Sequence, residues 1–163
     1  MIRVGLLGQG ALRLLLAIVA MTPAPAEACT LCTCTTSVSS LSFGTYDPVS
    51  PVPKDASALV SINCTGVVSL FGLVEVRASS GSSGNSLQRK MVHSASVLNY
   101  NLYADASRTR VLADGLAGTT TLTSSLNGLL FFNTSAPLYG RVPPNQWVPS
   151  GTYSDTVVIT VQY

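Results

Sequence analysis

The sequence predicts an all-β protein, an antiparallel β-sandwich, and three features of the chain support that prediction. Short segments alternate apolar and polar residues with a period of two, turn-forming clusters separate these segments, and no helical period occurs after the first 28 residues. A period of two places alternate side chains on opposite faces of a strand. Several short strands separated by loops rich in Gly, Pro and Ser are typical of sandwiches.

The clearest strand is predicted at residues 156–163. One face of this strand would carry Val157, Ile159, Val161 and Tyr163, and the other Thr156, Val158, Thr160 and Gln162. Residues 58–64 and 98–103 alternate in the same way. Residues 67–76 form a longer apolar run and are predicted as one buried strand that bends or bulges at Gly72. Turn clusters at residues 47–53, 79–86, 113–115 and 143–151 separate these elements.

The first 28 residues have the order of a secretory signal peptide. Arg3 and Arg13 are followed by an apolar stretch at residues 14–21 and by small residues up to Ala28. The apolar stretch is too short to cross a bilayer, so we expect cleavage after Ala28, with Ala26 as the second choice. A less favoured alternative is lipid attachment at Cys29. Residues 29–163 are then expected to form a single domain, exported through the periplasm.

Charge in this chain is sparse. Nine Lys and Arg residues against seven Asp and Glu residues give a net charge of +2, and no basic stripe is present. Nucleic-acid binding and binding to a strongly charged surface therefore have no support in the composition.

The four cysteines raise the question of a metal site, a redox pair or disulfide bonds. Cys29, Cys32 and Cys34 lie within six residues, and Cys64 follows later. Structural zinc sites use two spaced pairs of ligands, and a thioredoxin-like centre needs a strand followed by a helix, so disulfides are favoured in an exported domain. A bond from Cys34 to Cys64 would join two adjacent strands, and Cys32 to Cys64 is the alternative. Cys29 and Cys32 would pair locally or stay free.

The sequence offers little for catalysis. His93 is the single histidine, the carboxylates are isolated, and neither a nucleophile elbow nor a phosphate-binding loop occurs. We therefore expect no enzymatic activity, no cofactor and no metal. Arg89 and Arg141 are interpreted as structural ion-pair or loop-anchoring residues.

One apolar run outside the predicted strands permits two interpretations. It consists of Leu129, Leu130, Phe131 and Phe132. The favoured interpretation is a buried strand, and the alternative is an exposed adhesive loop, because exposed apolar patches often mark contact sites.

Several segments together resemble the spore coat protein U domain family, the subunits of archaic chaperone–usher pili. The resemblance begins at residues 34–48 (CTTSVSSLSFGTYDP) and covers nearly the whole chain after the signal peptide. The further segments, in family order, are INCTG at 62–66, RKM at 89–91, LNYNLYAD at 98–105, ADG at 113–115, YGR at 139–141 and PSGTYSDTVVITVQY at 149–163.

The resemblance implies an incomplete immunoglobulin-like β-sandwich that lacks its final strand. The missing strand would be lent by a periplasmic pilus chaperone and, after passage through an outer-membrane usher, replaced by the N-terminal extension of a neighbouring subunit at the cell surface. The family disulfide would fall on Cys34 and Cys64. The acceptor groove would have one side formed by Val38, Leu41 and Phe43 and the other by Val157, Ile159, Val161 and Tyr163.

The chain departs from the family pattern before its first family cysteine. Only residues 29–33 separate the expected cleavage site from Cys34, and the residues just before them are rich in proline and alanine, which pair poorly as a strand. We therefore expect a subunit that accepts a strand but does not donate one, at the tip of a fibre or in a secreted coat. The alternatives are an adhesin module that uses the run at residues 129–132 and, less favoured, a secreted hydrolase or a lipid-anchored binding protein.

Overall fold

The computed structural model describes residues 29–68, 72–126 and 131–162, and the predicted signal peptide lies outside these ranges. The described residues form eight strands: β1 Cys29–Val38, β2 Lys54–Val68, β3 Gly72–Ala78, β4 Arg89–His93, β5 Ser96–Tyr103, β6 Leu122–Leu126, β7 Phe131–Val142 and β8 Ile159–Gln162. A 3₁₀ turn at Gly81–Ser83 lies between β3 and β4. The described part of the chain holds no helix with the length and hydropathy to cross a membrane.

The strands form two sheets. One has five strands in the order β1-β2-β7-β5-β4, and the other has three in the order β6-β3-β8. All pairings between these strands are antiparallel. The antiparallel all-β prediction is therefore confirmed.

A single apolar cluster joins the inner faces of both sheets. Val60 and Ile62 of β2, Val74 and Val76 of β3 and Leu138 of β7 are buried in it. The predicted alternation over residues 58–64 is present, because the four inward residues of that stretch are buried. Those residues are Ala58, Val60, Ile62 and Cys64.

The apolar run at residues 67–76 was predicted as one bent strand, and this prediction is wrong. β2 ends at Val68 in the five-stranded sheet, and β3 begins at Gly72 in the three-stranded sheet. A run that is mostly apolar, with only Ser69, Gly72 and Glu75 between apolar residues, has no clear period that separates one strand from two. The division depends on which sheet each half joins, and only the tertiary fold decides that.

The last strand is shorter than predicted, although its two faces are as expected. β8 begins at Ile159, which pairs with Ala78, the last residue of β3. Residues before Ile159 have no ladder partner on β3, but Val158 is held by Ser79, whose amide donates to the Val158 carbonyl (2.9 Å) and whose hydroxyl accepts from the Val158 amide (2.9 Å). Exposure still alternates from Thr156 to Gln162. Tyr163 lies outside the described residues.

The disulfide between Cys34 and Cys64 is present and connects β1 to β2 at directly opposed positions. The two cysteines are 30 residues apart in sequence. The backbone of Cys29 pairs with Val68, whereas the side chains of Cys29 and Cys32 lie outside the described part, so their pairing stays a prediction.

Replacing both Cys34 and Cys64 with alanine should lower the free energy of unfolding by about 3 to 4 kcal/mol, since the bond closes a loop of about thirty residues in the unfolded chain. Guanidinium unfolding of the oxidised protein and the double variant measures this difference. A reducing agent should shift the midpoint of the wild type far more than that of the double variant. Equal midpoints for the oxidised wild type and the double variant would contradict the prediction.

Candidate functional site

A groove lined by apolar side chains with some polar ones among them lies between residues 38–48 and residues 148–159. It consists of two adjoining cavities, with volumes of about 400 Å³ and about 660 Å³. Leu41, Phe43, Met91 and Tyr153 line both cavities, which makes the groove continuous.

Five of the seven residues predicted for an acceptor groove line the narrower cavity. Val38, Leu41 and Phe43 lie on one side, and Val157 and Ile159 lie on the other. Val161 packs against the core and lines neither cavity, and Tyr163 lies outside the described residues.

Two strand edges that have no partner within the described residues reach the groove at one end each, at Val38 of β1 and at Ile159 of β8. β1 is paired only with β2, and β8 is paired only with β3. An open strand edge presents a row of unpaired backbone donors and acceptors, which can bind an additional strand. Apolar walls beside such edges would bury alternate side chains of that strand.

Gly140 of β7 allows the wall at Leu41 and Phe43 to lie close to the sheet. A Cβ atom at residue 140 would come within 2.8 Å of the Phe43 ring and 3.0 Å of Leu41. Phe43 in turn packs edge-on against Tyr100 of β5, with ring centroids 5.9 Å apart. Tyr100 therefore forms part of the groove floor and fixes the orientation of Phe43.

A hydrogen-bonded carboxylate lies at the narrower cavity. Asp155 accepts from the Tyr100 hydroxyl (2.7 Å) and from the backbone amides of Ser82 (2.9 Å) and Thr156 (2.8 Å). Partial burial opposes ionisation of Asp155, but these hydrogen bonds hold its pKa below the usual value. Burial and then the hydrogen bond to Asp155 raise the pKa of Tyr100, so it stays a protonated donor. The carboxylate thus connects the 3₁₀ turn, the groove floor and the segment leading to β8.

Arg89 holds Ser79, the residue that in turn holds the backbone of Val158, between Val157 and Ile159 of the groove wall. Its guanidinium is fully buried and donates to the carbonyls of Ser79 (2.6 Å) and Leu112 (2.9 Å) and to the side chain of Asn101 (2.8 Å). Desolvation lowers the pKa of Arg89 from its high ordinary value. Since Ser79 holds the backbone of Val158, Arg89 positions the groove wall through Ser79. Its predicted structural role agrees with these contacts.

The second arginine interpreted as structural, Arg141, forms a two-pronged ion pair with Asp55 (2.7 and 2.8 Å). The hydrogen bond from Arg141 holds the pKa of Asp55 below its usual value, although partial burial opposes this. Asp55 and Arg141 are opposed on β2 and β7, so the pair stabilises these two strands in register.

Sequence reasoning missed the floor of the groove. Met91 lies in a polar stretch and Tyr153 in a turn-rich one, and neither position carries a periodic signal. Tyr100 and Leu102 could have been found, because they share the inward face of the alternation at residues 98–103. Leu138 comes from β7, which was not predicted as a strand over this part.

The adhesive-loop interpretation of residues 129–132 is wrong for Phe132. Phe132 is 8% exposed, lies in β7 opposite Cys64 and belongs to the core cluster. Its side chain faces inward because the pairing of β7 with β2 sets its face. Phe131 begins β7, but its side chain lies outside the described part of the structure, and so do Leu129 and Leu130. No group of three or more potential metal-binding side chains occurs in the described ranges.

Comparisons with known proteins identify the family of this chain. The family model described as "Spore Coat Protein U domain" matches residues 18–160. The chain is 38% identical over 140 residues to "Protein U" of Myxococcus xanthus, covering 76% of this chain and 72% of that protein.

A solved structure has a similar fold. It is the CsuC-CsuE chaperone-tip adhesion subunit pre-assembly complex from archaic chaperone-usher Csu pili of Acinetobacter baumannii. The match has a TM-score of 0.53 at 20% identity and covers 82% of this chain, which spans only 40% of the matched chain. The sandwich is therefore immunoglobulin-like, as predicted. Since the family model covers most of the sequence and the Myxococcus relative is similar over three quarters of it, the chain belongs to the spore coat protein U domain family.

Proposed function

We propose that this protein is a structural subunit of an archaic chaperone–usher pilus or coat fibre and that a strand donated by another protein completes its fold. The single observation that carries the proposal is a continuous groove that the unpaired edges of β1 and β8 reach at Val38 and Ile159 and that is lined largely by apolar side chains between them. Backbone hydrogen bonds to such an edge supply affinity, and side-chain pockets supply specificity. The family consists of structural proteins, so the chain is not an enzyme.

The partners follow from this mode of assembly. A periplasmic chaperone would fill the groove first, an outer-membrane usher would pass the subunit across, and a neighbouring subunit would supply the final strand. Family membership supports export through the periplasm to the cell surface.

A synthetic strand peptide of alternating valine and threonine tests the groove. It should bind the purified protein with one-to-one stoichiometry in calorimetry and should raise the melting temperature, because a ligand that binds only the folded state stabilises that state. The matched control is the same peptide with two central valines replaced by proline, which removes backbone donors. Equal binding of the two peptides would contradict strand addition.

We further propose that the subunit is terminal. Residues from Cys29 onward already pair with β2, so they are not available to another subunit, and a donor segment would have to precede Cys29. Cleavage after Ala28 would remove those residues. Mass spectrometry of the exported protein should therefore find Cys29 at the N-terminus, and the purified protein should stay unpolymerised. Long fibres formed by this protein alone would overturn the terminal position.

A further inference from the structure

The most exposed large apolar side chains of the described residues include Trp147, at 77%, and Val49, at 67%. Val52 is exposed to a similar degree. Trp147 is also the single tryptophan of the chain. A tryptophan usually buries a large area, and an exposed apolar group of this kind often marks a contact site.

Hydrogen bonds clamp the loop that carries Trp147. The side-chain amide of Gln146 both accepts from the Asn99 amide (2.8 Å) and donates to the Asn99 carbonyl (2.9 Å), which imitates a strand pair on β5. The Tyr46 hydroxyl donates to the Pro143 carbonyl (3.0 Å) and accepts from the Gln146 amide (2.9 Å). Trp147 therefore projects from a backbone that is already ordered, which lowers the entropy lost on contact.

Two of these exposed side chains, Trp147 and Val49, are next in sequence to residues that line the wider cavity of the groove. Val148, next to Trp147, and Pro48, next to Val49, both line that cavity. The Tyr46 hydrogen bonds tie the two flanking segments together at this end of the molecule. We call Trp147, Val49 and Val52 the rim.

The orientation of a donated strand decides what lies at the rim. Each pairing between strands in both sheets is antiparallel, so a strand added to β8 is expected to run antiparallel to it. If the N-terminal extension of a neighbouring subunit fills the groove in this direction, the C-terminal end of the extension leaves the groove beside the start of the segment that leads to β8. That segment includes Tyr153, which lines the wider cavity. The folded domain that follows the extension would then stand against the rim.

We propose that the rim binds the folded domain of the neighbouring subunit whose N-terminal strand fills the groove. This inference rests on the proposed function and adds a second contact outside the groove. The matching surface should be apolar and uncharged, because residues 143–153 contain no charged side chain and residues 44–53 contain only Asp47.

The single tryptophan allows a direct test with two probes. The first is the valine–threonine peptide, which fills only the groove. The second is a donor copy of this chain in which that strand replaces residues 1–28, so that its folded domain stands in for a neighbouring domain of the same fold. It carries W147F to remove its own fluorescence and I159D so that it does not accept a strand. We expect the peptide to leave acrylamide quenching of Trp147 unchanged. The donor copy should shift the emission to shorter wavelength and reduce quenching severalfold.

Variants of the acceptor separate the rim from the groove. W147A should weaken binding of the donor copy by about tenfold or more, as for a central aromatic contact, and should leave peptide affinity within about twofold. L116A removes another exposed apolar side chain that lines neither cavity and should change neither affinity. If both probes bind but quench protection is the same, the rim contact is wrong and the groove stands. If the peptide itself does not bind, both the groove and the rim proposals fail.

Discussion

Replacing Ile159 with aspartate is expected to reduce binding of the strand peptide by more than about a hundredfold. Ile159 lines the narrower cavity at the first residue of β8, where an inserted strand would bury it. A carboxylate at that position would lose hydration in a cavity that has no Lys or Arg among its lining residues and already holds the Asp155 carboxylate, which costs several kcal/mol. The milder substitution Ile159→Thr keeps the branched shape and should weaken binding by about tenfold.

Val158→Asp is the matched control for this substitution. Val158 is adjacent in sequence, but its side chain is 61% exposed on the opposite face of the same segment. Its backbone bonds to Ser79 do not involve the side chain. We expect Val158→Asp to bind the peptide with nearly wild-type affinity in calorimetry, after circular dichroism has shown that the variants are folded. Similar losses of peptide affinity for the two aspartate variants would contradict the assignment of Ile159 to the groove wall.

Replacing Arg89 with methionine should lower the free energy of unfolding by at least about 3 kcal/mol, which is a large part of the stability of a domain of this size. Methionine fills part of the volume but leaves the acceptors at Ser79, Leu112 and Asn101 buried without their donor. Arg89→Lys should lose less, since an ammonium group keeps some of these bonds but does not reproduce the planar fork.

Arg77→Met is the control for Arg89→Met, because it removes an arginine near the surface. Arg77 pairs with Glu75 (2.8 Å) on the partly exposed face of β3, and such pairs contribute about 1 kcal/mol or less. Urea unfolding with comparable m-values compares the variants directly. The Arg89 variant should also bind the strand peptide more weakly, because Ser79 would no longer hold Val158 in place. Equal destabilisation by the two methionine substitutions would refute the view of Arg89 as the buried support of the wall.

Much of the fold could be predicted because alternation is a local signal. The inward positions of residues 58–64 and of residues 98–103 are buried as their period requires. The run at residues 67–76 could not be divided correctly, because it is mostly apolar and only sheet membership separates β2 from β3. The length of β8 depends on where β3 ends, which is a property of the partner strand.

The candidate groove, like the fold, could be predicted from the sequence only in part. Val157 and Ile159 were predicted on one wall from period and resemblance, and Val38, Leu41 and Phe43 on the other from resemblance. Met91, Tyr153 and the Asp155–Tyr100 hydrogen bond come from distant parts of the chain, so no spacing brings them together in the sequence. The rim at Trp147 had no periodic signal either, because its exposure depends on how Gln146 and Val148 are held.

By itself the sequence determined the all-β class, the inward faces of its alternating segments and the resemblance to the family, because each of these depends on residues that are close together in the chain. The tertiary structure decided that Phe132 is buried, that β8 starts at Ile159 and that residues 38–48 and 148–159 enclose one groove. These features depend on pairing between residues far apart in the chain. The hydrophobic effect requires that apolar faces be buried. The register of the partner strands determines which residues they are buried against.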